Sequence, residues 1–273
     1  LTVYTGTSEG FDIENSQRIM MEHDGIVYDN ALWPYLVDLN MDGWLDLVVP
    51  QIRSDRSFIL WGGPEGFSMD RRQMLAVHRA ACARAADLNG NGYPDLILGG
   101  AAPTPGVPHD SFAHIYWNGP GGLSEGRKTL LPANHINAMA VADFDNDGTL
   151  DLFVCSYDDN RQRDLDSYFY WNRKGRGFSA TDRTRIFAHC ASGCMAADFN
   201  DDGWTDLAIA YHKVEGDHVG DSAVWWNGPE GFDIERTTRL PTVGPHGMNS
   251  VGPGNLMDRG PEEYYESAPQ LLP

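Results

Sequence analysis

Positive charge is scarce in this sequence: 20 Lys and Arg stand against 39 Asp and Glu in 273 residues, a formal charge of −19. Such a chain repels nucleic acid and anionic membrane surfaces, which argues against both as partners. Long apolar runs are missing as well. None approaches the ~20 residues of a membrane-crossing helix, so membrane insertion is not expected. Cysteine is sparse, with Cys82, Cys155, Cys190 and Cys194 too few for a disulfide framework at this length. Cys190 and Cys194 could be bridged, or could be small buried residues near an inner strand. No segment holds a helical period, and there is no nucleophile elbow, phosphate loop or dinucleotide fingerprint. The chain opens on Leu1 without a leader pattern; a removed leader, or a cut within a longer chain, would account for that.

What the sequence does have is repetition. DLNMDGWLDL from Asp38 returns as DLNGNGYPDL from Asp87, DFDNDGTLDL from Asp143 and DFNDDGWTDL from Asp198, at spacings of 49, 56 and 55. A second motif keeps step: WGGPEGF from Trp61, WNGPGGL from Trp117, WNRKGRGF from Trp171 and WNGPEGF from Trp226, with a variant YTGTSEGF at Tyr4. Each unit reads as a strand into the acidic loop, a strand out of it, a third strand ending in Trp, and a Gly-rich hairpin into a fourth. Four antiparallel strands in such a period describe the blade of a β-propeller, an all-β fold. The repeats fall at approximately 21–75, 76–131, 132–187 and 188–245. Residues 1–20 supply only third and fourth strands, and 246–268 only a first and second. Joined, these ends make one shared blade, giving five in a single domain over 1–273 and leaving no open sheet edge. The hairpin tryptophans are expected to pack blades rather than carry ligand.

These acidic loops and W-x-G-x-x-G-[FL] hairpins resemble the FG-GAP, or VCBS-type, repeats, the propeller repeats of integrin α chains and many secreted bacterial proteins. The resemblance spans essentially the whole chain. It implies calcium in the acidic loops on one face of the propeller, and an extracellular, cell-surface or periplasmic location. The loop chemistry agrees, because Ca²⁺ takes six to eight oxygens and affinity follows ligand charge. Positions 1, 3, 5, 7 (by its carbonyl) and 9 supply Asp38, Asn40, Asp42, Trp44 and Asp46 in the first loop. The second offers Asp87, Asn89, Asn91, Tyr93 and Asp95, and with two carboxylates is expected to be weakest. Asp143, Asp145, Asp147, Thr149 and Asp151 follow in the third, and Asp198, Asn200, Asp202, Trp204 and Asp206 in the fourth. Gly at position 6 permits the turn. About four Ca²⁺ are expected. The fifth unit, with Asn255, Arg259 and Glu263 out of spacing, is expected to hold none.

Calcium would account for stability, not function. The face opposite these loops collects the variable loops and the connections into each innermost strand. There a His recurs in every unit: His23, His78, His135, His189 and His246, with His212, Arg53 and Arg161 in the variable loops. Two readings stand side by side. A ring of imidazoles would suit a transition metal or acid–base chemistry, whereas a His repeated because its blade is repeated would be structural. Three functions follow: a module binding a glycan or protein partner through this face; a lyase-like polysaccharide enzyme drawing on His78, His135, His189, Tyr28, Arg53, Arg79 and Arg161; or a structural subunit of a larger extracytoplasmic assembly. The sequence does not decide whether the protein is an enzyme.

Overall fold

The computed structural model describes residues 1–8, 10–101, 111–159 and 161–245. Four antiparallel sheets of four strands follow one another along the chain, each a simple meander. The first contains β5 (Tyr35–Val37), β6 (Asp46–Val49), β7 (Ser57–Leu60) and β8 (Arg72–Leu75). The second contains β9 (Cys82–Ala86), β10 (Asp95–Gly99), β11 (Ser111–Tyr116) and β12 (Lys128–Ala133). The third is built from β13 (Ile136–Ala142), β14 (Asp151–Ser156), β15 (Asp164–Tyr170) and β16 (Arg183–His189). The fourth comprises β17 (Ala191–Ala197), β18 (Asp206–Tyr211), β19 (Val219–Trp225) and β20 (Thr237–Val243). Ahead of them lie a long hairpin, β1 (Thr2–Thr7) with β2 (Gly10–Arg18), and a small one, β3 (Glu22–His23) with β4 (Ile26–Val27). The small hairpin is an addition that the repeat pattern does not announce.

First strands pack on first strands, β5 against β9, β9 against β13 and β13 against β17. Their sequences explain this: CARAA, INAMAVA and ASGCMAA are rich in small side chains, which let backbones approach. Second strands are buried along their whole length, as continuous apolar runs in a strand covered on both faces should be. Each pair of neighbouring sheets encloses its own apolar cluster. Between the first and second it is built on Val48, Ile59, Leu96 and Tyr116. Between the second and third it contains Ile97, Ile115, Leu152 and Tyr170, and between the third and fourth Phe153, Phe169, Ile209 and Trp225. In the last, Phe169 stacks on Phe232 at 4.6 Å and on Trp171 at 5.5 Å between ring centroids. Each fully buried ring of this size is worth about 2–3 kcal/mol of transfer free energy. The hairpin tryptophans also tie strands together: Trp117, Trp171 and Trp226 donate their indole N–H to Thr129, Thr184 and Thr238 beyond the following turn.

The β1–β2 hairpin packs on the outside of the first sheet, with Leu1 and Val3 against Ile19, Leu47, Phe58 and Leu60. That is where third and fourth strands of a preceding blade would stand. The segment expected to complete that blade, 246–268, lies outside the described residues, as do His246 and the fifth acidic segment. All four cysteines are buried and free, so Cys190 and Cys194 take the small-buried-residue role rather than a bridge.

Candidate functional site

Each acidic loop connects the first strand of a sheet to the second, so all four lie at the same end of the strands. They share one hydrogen-bond pattern. The position-1 carboxylate accepts from the backbone N–H of position 5, at 3.0–3.1 Å for Asp38, Asp87, Asp143 and Asp198. Its other oxygen accepts from the position-6 Gly at 2.7–2.9 Å. The position-5 side chain then accepts from the N–H of position 7 in every loop. Two left-handed residues make this turn: the position-6 glycines, such as Gly43 at φ +89°, and position 4, occupied by Met41, Gly90, Asn146 and Asp201. The second is invisible in the sequence, because four different residue types share one conformation. In the third loop, carboxylate oxygens of Asp143, Asp145 and Asp151 lie within 4.8 Å of one another, a spacing that can hold a metal ion.

Position 9 has a structural role that spacing alone does not reveal. Asp46, Asp95, Asp151 and Asp206 are completely buried. One oxygen of each accepts from the backbone N–H of position 2 in its own loop. The other accepts at 2.7–2.8 Å from the residue after the hairpin Trp, namely Gly62, Asn118, Asn172 and Asn227. This carboxylate therefore clamps loop to hairpin, while its remaining lone pairs stay available for a cation. Burial, with the neighbouring loop carboxylates adding to it, pushes Asp95 up to about 6 and Asp151 up to about 7, and raises Asp46 too. A cation in the loop would reverse that cost.

The Asn beside the clamp does something further. The side-chain amide of Asn118 donates to Pro94 O in its own loop at 2.9 Å and to Leu39 O in the loop of the preceding sheet at 2.7 Å. Asn172 repeats this with Leu150 O and Leu88 O, and Asn227 with Thr205 O and Phe144 O. Three buried amides thus staple successive acidic loops to one another. The first sheet has Gly62 instead, whose Cβ would meet Leu45 O at 2.2 Å, so no side chain fits there.

The third sheet carries a reciprocal exchange. Where the other hairpins have Gly63, Gly119 and Gly228, it has Arg173. Where they have Arg71, Arg127 and Arg236, each with its carbonyl accepting from the hairpin Trp N–H, it has Asp182. Those three arginines donate to the turn carbonyls of Gly66, Gly122 and Gly231. Arg173 turns instead into the acidic loop, 2.6 Å from Asp145 and 3.7 Å from Asp147, with Asp182 at 3.3 Å behind it. The loop with the most carboxylates at positions 1, 3, 5 and 9 is thus also the one with a resident cation.

At the opposite end of the strands the structure gathers part of the expected set. His135 and Arg163 flank Asp158 at 3.3 and 3.6 Å. The Arg163 guanidinium lies 4.8 Å above the Tyr157 ring and donates to Cys190 Sγ at 3.4 Å. Tyr157 meets His135 edge-on at 5.5 Å and stacks near His212 at 5.9 Å, which in turn meets His218 at 4.6 Å. Beside them His189 pairs with Asp164 at 2.7 Å and packs on Tyr211. Burial raises the Tyr157 and Cys190 pKa values. The remaining candidates stand elsewhere. His23 belongs to the small hairpin and bonds Arg72 at 2.6 Å. His78 leads into β9, and its carbonyl accepts from Ala101 N–H. Arg53 and Arg161 are exposed, and Tyr28 packs against Phe58 in the core. Among the described residues, no three His or Cys side chains bring ligand atoms within 4.8 Å of one another. Tyr157, Asp158 and Arg163 had no sequence signal beyond their place in a variable loop.

The sequence model of the family described as FG-GAP-like repeat matches residues 38–98, 87–154 and 143–209. Each match starts on the first Asp of an acidic loop and runs into the second strand of the next sheet. No curated protein matches the chain. Among solved structures, the crystal structure of the V. cholerae biofilm matrix protein Bap1 aligns at 15% identity with a TM-score of 0.36, covering 78% of this chain and 40% of that one. The chain thus spans well under half the length of that protein.

Proposed function

The chain belongs to the FG-GAP-like repeat family, and from that premise we propose that it is an extracytoplasmic, calcium-stabilised β-propeller that binds a glycan or protein partner through the face opposite its acidic loops. Five blades, one shared by the two ends of the chain, complete the reading. The donor set fits calcium: all ligand atoms are oxygens, and like-charged carboxylates are crowded where only a cation would offset their repulsion. The ion would be held by positions 1, 3, 5, 7 and 9 of each loop, and supplies charge neutralisation and rigidity. The chain's own residues do the rest, Asp46, Asp95, Asp151 and Asp206 clamping each loop to its hairpin.

The observation that carries the binding reading is the cluster of Tyr157, Asp158, Arg163, His135 and His212, drawn from two neighbouring sheets to the end that the acidic loops leave free. Aromatic faces with paired donors and acceptors suit recognition. Elemental analysis of protein purified without chelators or a His-tag tests this: about four calcium per chain and no transition metal are expected. Near-stoichiometric zinc, copper or iron would overturn it. Incubation with uronate polymers should leave ultraviolet absorbance flat, and a steady rise would replace binding by the lyase reading.

A further inference from the structure

Adjacent to that cluster, a groove of about 730 Å³ runs between the end of β12 and the outer two strands of the third sheet. Its walls follow from register. On β15 the residues Asp164, Asp166 and Tyr168 share one face; on β16 their partners are His189, Phe187 and Arg185, with Arg183 next. No other sheet spells this face the same way. The second has Phe112, His114 and Tyr116 opposite Pro132, Leu130 and Lys128, and the fourth has Asp221 and Ala223 opposite Pro241 and Arg239. Among the described sheets only the third carries two alternate carboxylates on one strand of this face and two alternate guanidiniums on the next, with Asp166 diagonal to Arg185.

We infer that this groove is a saccharide-binding site for a neutral glycan. The inference rests on the binding-module reading above and locates that module's ligand. Four properties support it. Phe187 stands at the groove with half its surface exposed, flanked by charged neighbours; an aromatic ring left in water beside polar groups is a platform for the apolar face of a sugar ring. The polar groups each have a neighbour. Arg185 lies 3.4 Å from Asp166, and Arg183 is held 4.5 Å above the Tyr168 ring, donating to Tyr170 at 3.0 Å. Planar carboxylates and guanidiniums side by side, with the amides of buried Asn134 and exposed Gln162 also in the lining, can serve hydroxyls that both donate and accept. Charge then selects within saccharides. The groove's three carboxylates outnumber its two guanidiniums, and the chain as a whole is at −19, so a polyanion gains nothing by approaching. Size agrees, since the volume lies within the range of small-ligand sites. A protein partner would call for a larger apolar centre than one phenylalanine supplies.

The test uses the calcium-loaded protein in affinity gels carrying galactomannan, mixed-linkage glucan or dextran, with an alginate gel beside them. Retardation by at least one neutral polymer is expected, and Phe187→Ala and Arg185→Ala should each weaken it about tenfold or more. Both side chains are exposed, so melting should stay within about 1 °C of the parent. Equal retardation of parent and both variants would overturn the groove and leave the binding module standing. Retardation only in alginate, or no retardation but a heavier complex with a protein on size exclusion, would overturn the neutral-glycan class. Binding to nothing would overturn the module reading along with it.

Discussion

Asn172→Ala probes the staple between acidic loops directly. The Asn172 side chain is 4% exposed, and its amide donates at 2.7 Å to Leu88 O and 3.1 Å to Leu150 O. Truncation removes both bonds and leaves one buried and one partly buried carbonyl without that donor. One lost bond costs about 1 kcal/mol net, and an unsatisfied buried group about 1–3 kcal/mol. Partial relaxation and water entry bring the expected total to about 2–4 kcal/mol. For a domain of this size that corresponds to roughly 5–15 °C in melting temperature. Asn172→Asp keeps the shape but turns acceptors toward two carbonyls, so it should be at least as damaging. The assay is thermal and urea unfolding in saturating calcium, with Asn118→Ala and Asn227→Ala in parallel. If Asn172→Ala and Asn172→Asp both lie within about 0.5 kcal/mol of the parent, the amide carries no load and the reasoning fails.

Chelation should lower the melting temperature strongly, since a ligand that binds only the folded state stabilises it by linkage; an unchanged curve in excess EDTA would refute calcium stabilisation. Arg173→Gly should tighten one calcium site by roughly tenfold, about 1.4 kcal/mol, because the guanidinium 2.6 Å from Asp145 competes for the same carboxylate; calcium titration calorimetry showing no tightened site would sink this. Burial, with Lys128 nearby, lowers the His114 pKa from 6.5 to about 4. The unfolded chain therefore takes up this proton first, and the stability contributed by the neutral ring, full above pH 6.5, is lost as pH falls from there toward 4. At saturating calcium, His114→Phe should flatten that part of the stability profile relative to the parent, and parallel profiles would disprove the assignment.

The four sheets were legible because two motifs recur in step, and each motif states its own local geometry: Gly for a left-handed turn, small and apolar residues for the strands that flank it. The acidic loops were legible for the same reason. The staples were not, because Asn118 and Leu39 are 79 residues apart and a repeat pattern describes units, not their mutual contacts. The recurring histidines do not mark one backbone position. His78 and His189 stand nine residues before their acidic loops, but His135 stands eight before its own. The left-handed position in these connections is accordingly filled by Arg79, His135 and Cys190. One letter recurring near one place in each unit thus marks different backbone positions, with different partners. Tyr157, Asp158 and Arg163 come together because they stand at the two ends of one loop, between β14 and β15.

The staples also point one way. Asn118, Asn172 and Asn227 each reach back to a loop that precedes them in the chain, and the first sheet, with Gly62, reaches to none. During synthesis the amino-terminal sheets emerge first. Every new hairpin then meets an acceptor that is already in place, so the sheets can click home one after another instead of waiting for the whole chain. A circularly permuted chain that begins with the third sheet would keep every contact, yet its second sheet would appear long after the Asn172 amide that must hold it. Native and permuted chains should therefore differ in how they fold as they emerge, even where the finished molecules are the same.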